Sequence, residues 1–241
     1  MNEQIENFKD KRWTDLVESF KKRIEEDKIV FNCKSVYVKL PEICPKPEYL
    51  LIGMEPGPGD DFDKDPEYCN FIASKEDFII HYCAYYYLGN EGFNYQMTDM
   101  AKGGISIKNA ELTRDKRYEI WLPYLKKELL LFGNPKIIFI GKGLYDAWNS
   151  KFFTYKREFI LQHGGSARGH VKNYYNKIKN IEKYRPDDKV KQKMKDLAVT
   201  LMEMQNYSSN LKNERLKIFD KDFTEQDKIL LSVYRYDFER F

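Results

Sequence analysis

The sequence predicts an α/β fold built on a central parallel sheet of about four strands. Two observations carry this. Short apolar runs ending at a glycine or a polar turn recur at 49–53 (YLLIG), 94–99 (NYQMTD), 134–141 (NPKIIFIG) and 159–163 (FILQH). Stretches with helical spacing of apolar residues lie between them. Runs that are apolar throughout suit strands covered on both faces, and strands alternating with helices suit the crossovers of a parallel sheet.

The elements follow in order. Residues 3–27 carry one helical stripe, marked by Ile5, Phe8, Trp13, Leu16, Val17, Phe20 and Ile24. PEICPKP (41–47) is a proline-rich connector into the first strand. Residues 74–89 read as a helix with Ser74 as N-cap and Gly89 at its end. Residues 115–133 form an amphipathic helix with Pro123 as a possible kink, and GLYDAWNS opens another after the third strand. Beyond residue 170 the chain is rich in Lys and Tyr and mostly helical, with no strong chemical signal. We expect a single domain over 1–241, with its core at about 49–170 and a helical elaboration at 171–241.

Composition narrows the function. Lys plus Arg is 41 against 38 Asp plus Glu, a net charge of +3, which excludes the strongly basic tails of histone-like proteins. Apolar residues at 42% with 33% charged exclude a disordered chain. No stretch reaches ~18 uninterrupted apolar residues, and the first residues lack an apolar signal core, so a soluble cytoplasmic protein without membrane contact is expected. The aromatic content of 15% suits both base stacking and an ordinary core. Cys33, Cys44, Cys69 and Cys83 form no CxxC pair and read as reduced, mostly buried thiols; their count alone also permits a four-thiolate cluster.

The common catalytic signatures are missing: there is no GxGxxG after a strand, no GxxxxGK[ST], no HExxH or zinc spacing and no GxSxG. Only His81, His163 and His170 are available for histidine chemistry. His81 lies in a helical apolar stretch and reads as a satisfied core residue, whereas His163 ends a strand and opens a Gly-rich loop. In parallel α/β sheets the ligand site lies at the carboxyl ends of the strands. Those ends are MEPGPGDD, TDMAKGG, GKGLYD and HGGSARGH, all rich in Gly and polar residues.

These four loops, in their order and spacing over about 49–170, resemble the motifs of the uracil-DNA glycosylase superfamily. Gly53-Met54-Glu55-Pro56-Gly57 resembles its first motif, which reads GMNPG or GEAPG in several members. YQMTDMAKG resembles its second strand, often ITNxxK, and PKIIFIGKGLYDAW its third strand and following helix. HGGSARGH stands where the superfamily has an HPSP-like loop, with HGG in place of HPS. The resemblance implies a three-layer α/β/α fold with N- and C-terminal helices. It also implies a DNA glycosylase that flips a base out of the duplex and hydrolyses its N-glycosidic bond, leaving an abasic site, as a monomer without metal or cofactor.

The resemblance assigns roles residue by residue. Glu55 takes the position of the water-activating or water-orienting residue, and a carboxylate there also stabilises positive charge growing on the sugar. His163 takes that of the histidine that donates to the leaving base. Asp99 takes that of the base-reading Asn. An ionised Asp only accepts hydrogen bonds, which matches the exocyclic amine of cytosine and mismatches uracil O4. Gly57 takes the position where strict uracil enzymes carry an aromatic beside C5, so the pocket is expected to be open there. Together these point to a 5-modified cytosine, such as a hypermodified cytosine of phage DNA, and to antiviral defence. Excision of uracil in base repair, and a non-catalytic reader of modified DNA, are the alternatives. Phe71, with Tyr68 and Phe62 as rivals, is the candidate to stack on the base. Gly164, Gly165, Ser166 and Arg168 replace the loop that enters the duplex, with the glycine N–H groups as a phosphate nest and Arg168 filling the gap or clamping a phosphate.

Overall fold

A computed structural model describes residues 11–56, 69–152, 154–162 and 168–241; of Ile107 and Arg168 only the backbone is described. The strands are β1 (Val36–Tyr37), β2 (Tyr49–Gly53), β3 (Tyr95–Asp99), β4 (Gly103–Gly104), β5 (Lys136–Ile140) and β6 (Arg157–Ile160). The helices are α1 (Lys11–Val30), α2 (Lys75–Cys83), α3 (Ile107–Leu131), α4 (Lys142–Trp148), α5 (Arg168–Tyr175), α6 (Val190–Met204), α7 (Ser209–Leu216) and α8 (Glu225–Phe238). Four strands form one parallel sheet in the order β3-β2-β5-β6.

The apolar runs explain this sheet. Every residue of β2 and β3 is buried, so neither strand needs polar alternation. Along β2 and β5, Leu50, Ile52, Ile137 and Phe139 point to one face, where they meet Phe20 and Ile24 of α1, Trp121 and Leu125 of α3, and Trp148 of α4. Leu51, Ile138 and Ile140 point to the other face with Met97 and Ile160, against Phe78 of α2, Leu201 of α6 and Val233 of α8. Helices thus cover both faces, an α/β/α sandwich. Each fully buried Leu, Ile or Phe contributes ~1.5–3 kcal/mol.

Several boundaries differ from those expected. The fourth strand covers 157–160 rather than 159–163, because its pairing with β5 begins at Ile137↔Arg157 and ends at Ile140↔Ile160. α3 begins at Ile107, capped by Ser106, eight residues before the expected start. In α1 Trp13, Leu16, Phe20 and Ile24 are buried as expected, while Ile5 and Phe8 lie outside the described residues. Ser74 caps α2 with a reciprocal capping box through Asp77, and the helix continues as a π-helical turn, Ala84–Leu88, up to Gly89. The antiparallel pair β1·β4 has no signal in the sequence pattern. The segment after residue 170 is a structural layer, since α6 and α8 close one face of the sheet. No described helix is long and apolar enough to cross a membrane. The four cysteines are free thiols, Cys33 being the one that is not buried.

Candidate active site

The chain leaves β2 for β3 on one side and returns past β2 to β5 and β6 on the other. The strand order therefore reverses between β2 and β5, and the crevice at their carboxyl ends is where such sheets take ligands. A cavity of about 560 Å³ opens there. Its walls come from Met54 after β2, Arg114 and Tyr118 of α3, Gly141 and Lys142 after β5, Trp148 of α4, Gln162 after β6 and His170 of α5. Gly141 turns the chain from β5 into α4 with φ of 121°, a conformation that side-chain-bearing residues rarely adopt.

Beside this cavity, on the β2–β3 side, Asp99, Phe71 and Gly53 come together. Register pairs Gly53 with Asp99 at the ends of their strands. A Cβ on Gly53 would collide with Asp99 Oδ1 and come within 2.9 Å of Phe71 Cζ, so glycine is what lets the carboxyl and the ring meet. Asn70 Nδ2 donates to Asp99 Oδ2 at 2.5 Å. Phe71 holds φ of 63°, a left-handed conformation that costs a bulky residue ~1–3 kcal/mol. Two groups fix it there. Its carbonyl lies 3.0 Å from His81 Nε2, and His81 Nδ1 lies 2.8 Å from the Tyr95 hydroxyl. A carbonyl can only accept, so Nε2 carries the proton and Nδ1 accepts from Tyr95. Burial lowers His81 to about 4, which keeps the ring neutral in this role.

Glu55 is held between two arginines. Gly53 and Met54 extend the ladder past β2, their carbonyls accepting from the N–H groups of Met100 (2.9 Å) and Ala101 (3.3 Å), and this sets the position of Glu55. Arg114 Nη2 and Nε donate to Glu55 Oε1 at 3.1 and 3.3 Å, and Arg117 Nη1 lies 3.5 Å from Oε2. The two arginines differ in setting. Arg114 keeps 34% of its side chain exposed, whereas Arg117 is fully buried and also donates to the Gly103 carbonyl at 2.8 Å. Both lie on the core-facing stripe of α3 that continues with Tyr118, Trp121 and Leu125. Burial first, and then the neighbouring Glu55 charge, push the Tyr118 phenol far up.

A fully buried Lys102–Glu128 pair lies beneath Asp99. Lys102 Nζ is 2.6 Å from Glu128 Oε2 and donates to Thr98 Oγ1 at 2.7 Å and to the Asp99 carbonyl. With its charge balanced and its donors used, Lys102 ties down the end of β3.

Asp99 is 1% exposed, and burial pushes it up to about 8 against the lowering pull of Lys102 and Asn70; the charges of Glu55 and Glu128 add to the rise. The carboxyl is therefore mainly the neutral acid at neutral pH. This revises the expectation of an ionised, acceptor-only Asp99: the acid offers one donor and one acceptor. Asp237 of α8, which accepts from Tyr174 at 3.0 Å, is likewise pushed up by burial, to about 7. A carboxyl raised in the folded state binds more protons there than in the unfolded chain, so stability falls as the pH climbs from the unfolded value towards the folded one. His81 acts oppositely but only in acid, losing stability between about 6.5 and 4. These two carboxyls should therefore make the protein less stable at pH 8 than at pH 6 by roughly 4 kcal/mol, somewhat under two-thirds of it from Asp99. Denaturant midpoints at the two pH values check this, and Asp237→Asn should remove the smaller share.

Of the residues proposed from sequence, Glu55, Asp99 and Phe71 are thus brought to one end of the sheet. Gly57, His163, Gly164, Gly165 and Ser166 lie outside the described residues, as do Tyr68 and Phe62. Arg168 opens α5, two residues before His170 on the cavity wall. Sequence reading missed Asn70, Arg114, Arg117 and Tyr118, and named His170 only as an available histidine at the end of the last loop. The spacing of Arg114, Arg117 and Tyr118 (i, i+3, i+4) would have placed the three on one face had the helix been started earlier. No cluster of His, Cys, Asp and Glu suited to a metal occurs among the described residues. No protein-family model matches the chain, and a search of curated proteins finds no match.

Proposed function

We propose that the protein is a DNA glycosylase that hydrolyses the N-glycosidic bond of an altered pyrimidine, most specifically a 5-substituted cytosine. The observation that carries the reading is the meeting of Glu55, Phe71 and Asp99, far apart in sequence, at the carboxyl end of β2 and β3. A carboxylate, an aromatic ring and a base-reading polar group are what this reaction requires. In the proposed step the oxygen of a water molecule bonds to the sugar C1′ while the bond to the base breaks. The electron pair of that bond leaves with the base, and Glu55 takes the proton of the water. The neutral Asp99 suits the cytosine edge, accepting from the N4 amine and donating to N3. A foreign, hypermodified genome is the substrate that spares the host's own cytosine, which makes defence against phage the fitting role.

The arginine clamp on Glu55 favours one second reading, a reader that binds modified DNA without cutting it. Incubation with duplexes carrying uracil, cytosine, 5-hydroxymethylcytosine or glucosylated hydroxymethylcytosine, followed by alkali cleavage, separates the two. Abasic sites in modified-cytosine DNA alone support the proposal. Cleavage of uracil DNA assigns the protein to ordinary base repair. Binding without cleavage in every duplex favours the reader.

A further inference from the structure

Arg114 belongs to two places at once. Its guanidinium holds Glu55 Oε1, and its side chain also forms part of the cavity wall, a third of it exposed. Arg117 approaches the other oxygen of Glu55 from full burial, so the carboxylate keeps a cationic partner if Arg114 leaves. Lys142 and His170 face the same cavity from α4 and α5. Two carboxylates, Asp115 and Asp146, line it as well, and Lys142 neutralises the second. Two cations and two carboxylates thus line the cavity, so a phosphodiester contact there rests on Arg114 itself rather than on a positive field.

We propose that the cavity binds a phosphodiester of the substrate strand through Arg114, and that Arg114 gives up Glu55 in doing so. The inference rests on the DNA-glycosylase reading and adds a coupling to it. With the strand absent, Oε1 is occupied by the guanidinium, which stands where a water would have to approach. With the strand bound, Arg114 turns to the phosphate, Oε1 opens towards the cavity, and Arg117 alone keeps the carboxylate in place. Arg114 is thus a binding residue for the strand and a positioning residue for Glu55. The guanidinium exchanges one monoanionic oxygen partner for another, so its own hydrogen bonds are kept.

Duplex binding measured across a salt series tests this in the full-length protein, with excision followed in single turnovers at saturating DNA. Arg114→Gln should weaken binding roughly 10-fold at moderate salt and make the slope of log K against log salt shallower by ~0.9, the contribution of one phosphate contact. Arg114→Lys should keep most of the slope. A single methylphosphonate replacing one phosphate beside the target base should weaken the wild type similarly and leave Arg114→Gln unchanged. If Arg114→Gln slows excision while affinity and salt slope stay as in the wild type, Arg114 only props Glu55 and the inference is wrong. If the wild type binds DNA without excising, the glycosylase reading fails, yet the salt slope still decides the phosphate contact. If it binds no DNA, both fall.

Discussion

Glu55→Gln is expected to leave the protein folded and bound to DNA while lowering excision by roughly 10²–10⁴-fold, the usual contribution of a positioned general base. The amide keeps the shape of the side chain but has one acceptor oxygen and no negative charge. It can neither take a proton from water nor stabilise positive charge on the sugar. Glu55→Ala is the poorer variant. Arg117 has no exposed surface and would be left beside an empty space where its carboxylate stood. Breaking a buried pair from one side costs about 3–5 kcal/mol. Glutamine also removes the charge but keeps an acceptor oxygen for the guanidinium and fills the space, so it carries the smaller part of that cost. A thermal melt of each variant separates lost folding from lost chemistry. Single-turnover excision and duplex binding, measured on the same preparation of Glu55→Gln, check the expectation. Excision at the wild-type rate would remove Glu55 from the mechanism.

Asp99→Asn is expected to keep the base preference and to remove a dependence on pH. With its carboxyl raised by burial to about 8, Asp99 is mainly protonated at neutral pH. Asn70 already donates to Oδ2, so the proton sits best on Oδ1, giving a donor at one oxygen and an acceptor at the other. An asparagine with its oxygen towards Asn70 presents the same pattern. In the wild type, excision of a cytosine-type base should fall as the pH rises through about 8, because the ionised carboxylate would oppose the N3 lone pair. In Asp99→Asn that fall should vanish. The charged neighbours Lys102, Glu55 and Glu128 are common to both proteins and cancel in the comparison. If instead the asparagine moves preference towards uracil and the wild-type profile is flat, Asp99 acts as an ionised acceptor.

The strands were legible because their pattern is simple. YLLIG and KIIFI are apolar on both faces, and only a fully covered strand tolerates that in water. The loops after them mark the carboxyl end of the sheet, where the described residues line a cavity. The start of α3 was not. Its first core-facing positions include Arg114 and Arg117, whose burial is sustained by Glu55 and the Gly103 carbonyl, and hydrophobic periodicity does not register an arginine turned inward. Asn70 was missed because its partner, Asp99, is distant in sequence, and nothing local announces the left-handed Phe71 that sets it there. The enclosure of Asp99 was not legible either: residue type gives the ordinary carboxyl, while burial raises it here.

One further consequence follows from α8. It packs Leu230, Val233 and Tyr234 over the sheet, and the Tyr234 hydroxyl donates to the carbonyl of Leu161, a residue of the cavity wall, at 2.7 Å. During synthesis β2 leaves the ribosome long before residues 225–238 do. Until they arrive, one face of the sheet and one wall of the cavity lack their cover. A prematurely terminated chain would therefore expose apolar strands to chaperones and proteases before its cavity wall could close.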